Sequence, residues 1–254
     1  MLNLFRIPVL RVLGRKMYHK VVKYREVYIS HLLSPDKIVL GGIFKGMKYP
    51  VFESFGSGLL TKLLGSYEDE LHPALQKFSK NQYSDIIDIG CAEGYYAVGS
   101  ALLFPQAKVH AYDIEESAIS LCRKMATVNE TINRTLLKRK CDRATLLNFQ
   151  FEGRGLVICD CEGYEKELFD KEVAKSLKSC DVIIELHEGL ASGIKGQIEQ
   201  AFNETHDIEF VKSKLKSVRD YSLLSKLPVE YQQDQYLIER DTAQEWAVIS
   251  SRVY

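Results

Sequence analysis

The chain has 254 residues, 46% hydrophobic and 27% charged, with 34 Lys and Arg set against 34 Asp and Glu. That is an ordinary globular composition, and zero net charge excludes a general attraction to nucleic acid or anionic membrane. The six cysteines form no CxxC pair, which argues against a zinc site or a thioredoxin-like motif; they read as small buried hydrophobes in a reducing cytoplasm rather than a disulfide framework.

Charge is unevenly placed. Arg6, Arg11, Arg15, Lys16, Lys20, Lys23 and Arg25 all precede the first acidic residue, Glu26. Arg6 and Arg11 interrupt the apolar stretch a secretory signal needs, and no segment approaches the ~20 apolar residues of a membrane span. The stretch from about Leu10 to Leu33 predicts a basic amphipathic helix. It either packs on its own domain or makes weak contact with a membrane surface, nucleic acid or a partner. VLGGIFKGMKYPVF (39–52) predicts a short hairpin. Residues 1–60 thus read as an N-terminal extension and 61–254 as the main domain. Ser66 and Asp69 fit a helix-capping pattern ahead of the helical LHPALQKFSK.

From residue 85 strands and helices alternate. DIIDIG (85–90), KVHAYDI (108–114), TLLKRKC (135–141), GLVICD (155–160) and DVIIELHE (181–188) predict five strands, with DIEFVKSK and EWAVISSRV as two more near the end. Helices are predicted over 94–104, 116–130, 165–179 and 194–202. Such alternation implies an α/β fold: a mostly parallel sheet with helices on both faces.

Asp88-Ile89-Gly90-Cys91-Ala92-Glu93-Gly94 lies at the first strand-to-helix junction, where ligands bind in open α/β sheets. It is not the GxGxxG of nicotinamide enzymes: Ala92 holds the second glycine position and Tyr95 the last. Asp88 would repel a pyrophosphate and suits a positively charged ligand such as S-adenosylmethionine. Asp113, 23 positions after Gly90, can grip two ribose hydroxyls or cap the next helix; Asp142 can meet an adenine amino group or be an ordinary loop acid.

Taken with GSYEDEL (65–71), DIGCAEGYYA (88–97), HAYDIE (110–115) and IIELHE (183–188), the run Asp160-Cys161-Glu162-Gly163-Tyr164-Glu165 resembles the FkbM-type methyltransferases over roughly residues 55–190. Cys91 and Glu93 depart from what that family more often carries. The resemblance implies a Rossmann-like class I methyltransferase fold with a seven-stranded sheet, S-adenosyl-L-methionine as cofactor, and O-methylation of a hydroxyl on a small molecule, sugar or glycan. Expected cofactor contacts are Glu68, Asp88, Gly90, Cys91, Ala92, Gly94, Tyr95, Asp113, Ile114, Asp142 and Asp160.

Catalysis is expected of His187, Glu162 and Asp160. His187 has the ordinary pKa best suited to a general base; the two acids flank the acceptor or cap the following helix. No metal is assigned, although Asp160, Glu162, Glu185 and His187 have the oxygen-rich chemistry of a Mg²⁺ or Mn²⁺ site. A nucleic-acid methyltransferase is the weaker reading, because DCEG replaces the [DNS]PP[YFW] motif of amino-directed enzymes and there is no Pro-Cys nucleophile. A non-catalytic cofactor-binding scaffold remains an alternative, and a nicotinamide dehydrogenase a remote one. Residues 217–240 form a long insertion, either a lid and acceptor wall or a surface-packed connection.

Overall fold

In a computed structural model of the chain, residues 24–237 and 244–253 are described. The helix predicted from Leu10 is seen over residues 24–33 (α1); its more basic first part lies outside the described residues. Among the described residues no helix is long and apolar enough to cross a membrane.

The described residues contain one seven-stranded sheet in the order β3-β2-β1-β4-β5-β7-β6. Its strands are β1 (Asp85–Ile89), β2 (Lys108–Tyr112), β3 (Thr135–Lys138), β4 (Gly155–Cys159), β5 (Cys180–Glu185), β6 (His206–Lys212) and β7 (Glu245–Ser251). The first five run parallel, and β7 pairs antiparallel with both β5 and β6. This is the α/β, Rossmann-like methyltransferase architecture. β1, β4 and β5 are buried at every position, which is why they read as short, largely apolar runs, interrupted in β1 and β5 by buried acids. β3 is an edge strand with exposed positions, so its lysines need no burial.

Alternate residues feed two cores. Ile86, Val109, Ile158 and Ile183 face one side, under the helices α2 (Leu59–Leu64), α3 (His72–Phe78), α4 (Tyr95–Leu103) and α5 (Glu116–Val128). Ile87, Val157, Val182 and Ile184 face the other, under α6 (Arg143–Asn148), α7 (Glu165–Leu168), α8 (Lys171–Ser176) and α9 (Ile194–Phe202). The single helix predicted over 165–179 is thus two. The Asp170 carboxylate accepts from the Glu172 and Val173 N–H groups, starting α8 afresh.

The predicted hairpin is reduced to one antiparallel bridge, Ile38 to Lys48. Its side chains Val39, Phe44, Met47 and Tyr49 enter the same core as α4, so this part of the extension is packed against the main domain. Ser66 does not cap a helix through its side chain; its hydroxyl donates to the Thr61 carbonyl, and α3 begins at His72 with Pro73 in its first turn. In the 217–237 segment, Leu224, Leu227 and Leu237 pack with Ile29 of α1 and with Leu60 and Leu64 of α2 in a small separate core. The strand order reverses between β1 and β4, and this switch point opens the crevice where a ligand fits.

Candidate active site

A cavity of about 410 Å³ lies at the carboxyl ends of β1, β2, β4 and β5, within the usual size of a small-molecule site. Its floor is the turn after β1. Gly90 has φ +82, and a Cβ there would lie 1.7 Å from the Asp160 carbonyl oxygen, so only glycine lets this turn pass under the loop after β4. The N–H groups of Gly90 and Cys91 both donate to the Tyr112 carbonyl at 2.9 Å, which ties the turn to the end of β2.

Asp113 closes the turn from the other side. One carboxylate oxygen accepts from the Ala92 N–H at 2.9 Å and the other from the Glu115 N–H at 2.8 Å. Asp113 thus bonds the backbone just ahead of α5, whose N-cap is Glu115, and it lines the cavity. Asp88, 2% exposed, also lines it, and its Oδ2 has no hydrogen-bond partner. Burial, then the neighbouring Asp160 and Asp113 charges, push its pKa up to about 8. An orphaned buried carboxylate beside two more acids is a seat for a cation, and the ammonium of an amino-acid-bearing cofactor fits it.

Glu93, a departure in the motif, is fully buried. It accepts from Lys62 Nζ at 2.5 Å, Ser54 Oγ at 2.9 Å, Tyr49 Oη at 3.2 Å and the Phe55 N–H at 3.1 Å. Burial opposes its charge and Lys62 outweighs that, leaving its pKa below the ordinary value. The pair fastens the 49–55 strap, and Phe55 and Ser57 wall the cavity just beyond. The Lys62 ammonium also lies 4.7 Å from the Tyr67 ring centre and 5.4 Å from that of Tyr95.

The residues after β4 and β5 line the same cavity. His187, 6% exposed, places Nδ1 2.9 Å from Glu165 Oε1. Its Nε2 lies 3.5 Å from Asp160 Oδ1, 3.6 Å from Glu162 Oε2 and 3.7 Å from Glu185 Oε1. Burial alone would lower the His187 pKa, but Glu165, Asp160 and Glu162 together raise it. Glu162 sits at φ 55, a left-handed conformation unusual for its type, which turns the loop around Gly163. The ligating atoms of Asp160, Glu185 and His187 lie within 4.8 Å of one another, a spacing a divalent cation would accept.

Of the expected contacts, Asp88, Gly90, Cys91, Ala92, Tyr95, Asp113, Ile114 and Asp160 line the cavity, as do Glu162 and His187. Three do not. Gly94 is the residue before α4, at φ +99, where a Cβ would meet Cys122 Sγ at 2.7 Å. Glu68 bonds the Tyr96 hydroxyl. Asp142 caps α6, accepting from the Thr145 N–H at 2.9 Å and its hydroxyl at 2.8 Å, while the neighbouring Cys141 reaches the cavity instead. None of residues 217–237 lines it, so that segment serves as a surface-packed connection over α1 and α2. Sequence reasoning passed over Lys62, Tyr67 and Glu165. For Glu165 the signal was its place at the end of DCEGYE, three residues after Glu162.

Residues 80–192 match the model of a family described as a methyltransferase domain. The release factor glutamine methyltransferase of Flavobacterium psychrophilum is 29% identical over 101 residues, 40% of this chain and 34% of that protein. The chain thus aligns with about a third of that relative's length. Among solved structures, TrmN from Thermus thermophilus is similar at 14% identity and TM-score 0.45, over 70% of this chain and 47% of that one. The O-methyltransferase TomG from Streptomyces achromogenes, solved in complex with SAM, is similar at 11% identity and TM-score 0.49, over 74% and 82%. Precorrin-6y C5,15-methyltransferase from Geobacter metallireducens is similar at 10% identity and TM-score 0.49, over 72% and 86%. Residues 80–192 are thus similar to a methyltransferase domain, and the sheet order and the cavity around them suit S-adenosylmethionine as the cofactor.

Proposed function

We propose that this chain transfers a methyl group to a hydroxyl of a small molecule, sugar or glycan, as an O-methyltransferase of the FkbM type. The observation that carries the reading is the convergence of His187 Nε2 with Asp160, Glu162 and Glu185 in the cavity that Asp88 and Asp113 also line. It supports a proton acceptor in the same cavity as the proposed cofactor seat.

S-adenosylmethionine, when bound, supplies a methyl group carried on a sulfonium. The protein's residues divide the remaining work. Asp88 offers its free oxygen to the ammonium end, and Asp113 presents its carboxylate to the ribose hydroxyls. The Gly90 turn allows close backbone approach, and the strap held by Glu93 limits water. His187 takes the acceptor's proton at Nε2, and the acids around that atom stabilise the imidazolium that results. After β4 the chain carries DCEG, which favours a hydroxyl acceptor over an amino group on a nucleobase.

The test is to incubate the protein with S-adenosylmethionine and separate sets of hydroxylated small molecules, sugars, glycans, nucleic acids and peptides, and to measure S-adenosylhomocysteine release. Release driven by a hydroxyl acceptor, and reduced about 10²–10⁴-fold in His187→Ala, is the expected result. Release driven only by nucleic acid or by a peptide amide or amine would overturn the proposal.

A further inference from the structure

Glu165 opens α7 beneath the cavity and is fully buried. Three donors converge on its Oε1: the Cys161 N–H at 3.0 Å, the Cys161 thiol at 3.4 Å and His187 Nδ1 at 2.9 Å. An oxygen on which three donors converge serves as an acceptor, and a carboxylate in that role only accepts hydrogen bonds. An unprotonated Nδ1 at 2.9 Å would set two lone pairs against each other, so the hydrogen between them belongs to Nδ1.

This leaves Nε2 as the ring atom exposed to the cavity. Three acidic groups approach it, Asp160 and Glu162 from the loop after β4 and Glu185 from β5, at 3.5 to 3.7 Å, while Lys62, Arg139 and Lys140 also line the cavity. These distances exceed a good hydrogen bond, but their combined field draws a proton towards Nε2. The tautomer is thus contested, with three carboxylates on one side and Glu165 alone in hydrogen-bond contact on the other.

We infer that Glu165 is a positioning residue: it holds His187 with the hydrogen on Nδ1, so that the Nε2 lone pair faces the acceptor. The inference rests on the methyltransferase reading, in which His187 is the base. An imidazole with its hydrogen on Nε2 would present a donor to the acceptor hydroxyl and could not take its proton.

The test uses the full chain, labelled with ¹⁵N-histidine and saturated with S-adenosylhomocysteine. Long-range ¹H–¹⁵N spectra are recorded from pH 5 to 9.5, with the His187 signals assigned by their absence in His187→Gln. In the parent, the neutral ring should carry its hydrogen on Nδ1, with an unprotonated Nε2 shift. In Glu165→Gln the distribution should swing towards Nε2–H by at least tenfold, and the His187 titration should move to lower pH. Glu165→Asp, which restores the charge, should recover the Nδ1–H form at least in part. An Nε2–H tautomer in the parent, or an unchanged tautomer in Glu165→Gln, overturns the inference. If Glu165→Gln fails to fold, the parent spectrum decides. Failure of the parent to bind S-adenosylhomocysteine would instead strike at the methyltransferase reading, because the tautomer of His187 is read with or without it.

Discussion

Replacing Asp88 by Asn separates folding from cofactor binding. In the folded chain the Asp88 carboxyl titrates at about 8, against an ordinary 3.8. At pH 7 it must therefore take up a proton on folding, at about 1.4 kcal/mol per pH unit between 3.8 and 7, an upper bound of about 4 kcal/mol. Water penetration and relaxation around a real buried acid reduce this to about 2 kcal/mol. The sign follows from a raised folded pKa: this part of the stability is fully present below 3.8 and is lost as pH rises towards 8. Asn keeps the shape and an acceptor oxygen but has no proton to gain. Urea denaturation of the two proteins at pH 5, 6, 7 and 8 should show the parent losing stability relative to Asp88→Asn across that range. Binding should change in the opposite sense. The ammonium of S-adenosylhomocysteine restores the ionised carboxylate, so the parent should release close to one proton per ligand at pH 7. The variant should bind about a hundredfold more weakly, about 3 kcal/mol. Parallel pH profiles, or undiminished affinity in the variant, would refute the assignment of Asp88 as the cation seat.

Three further outcomes are expected. Asp113→Ala removes the acceptor of the Ala92 N–H as well as the proposed ribose contact, so calorimetry should show S-adenosylhomocysteine affinity falling about 10- to 100-fold; unchanged affinity would contradict both roles. Glu93→Gln leaves the buried Lys62 ammonium without its counter-charge and should destabilise the fold by about 3–5 kcal/mol, whereas a loss below about 1 kcal/mol in denaturation would show that the strap is held by other means. With an acceptor in hand, the methyl-transfer rate should fall on the acid side as His187 takes up a proton, with a midpoint above 6.5 because its neighbours raise its pKa. His187→Ala should abolish that acid limb and lose about 10²–10⁴-fold in rate; an intact limb in the variant would assign it to another group.

The parallel core of the fold was legible because burial on both faces leaves a plain mark. β1, β4 and β5 are short apolar runs bounded by glycine or acidic residues, and each lies within two or three residues of its expected place. β5 was over-extended. It stops at Glu185, and the release of Leu186 and His187 from the strand lets the imidazole turn back towards Glu165. The split at Asp170 was hidden because a helical run and two capped helices share the same periodicity; only the side-chain cap separates them.

The cavity lining after β1 and β2 was legible because local chain geometry dictates it: a glycine turn after one strand and an acid after the next. Contacts between distant segments were not. Glu93 read as a departure from a motif, since its partner Lys62 stands 31 residues away on α2. Asp142 was expected to reach the ligand, but its carboxylate finds the Thr145 N–H and hydroxyl, three residues on, first. Glu165 read as a helix residue because nothing local announces that His187, 22 positions later, will lie against it.

The central claim is tested most directly by calorimetric titration of the purified chain with S-adenosylmethionine, S-adenosylhomocysteine and NAD. Micromolar binding of the first two and none of NAD is the expected result. A folded protein that binds neither adenosyl compound, or that prefers NAD, would contradict it.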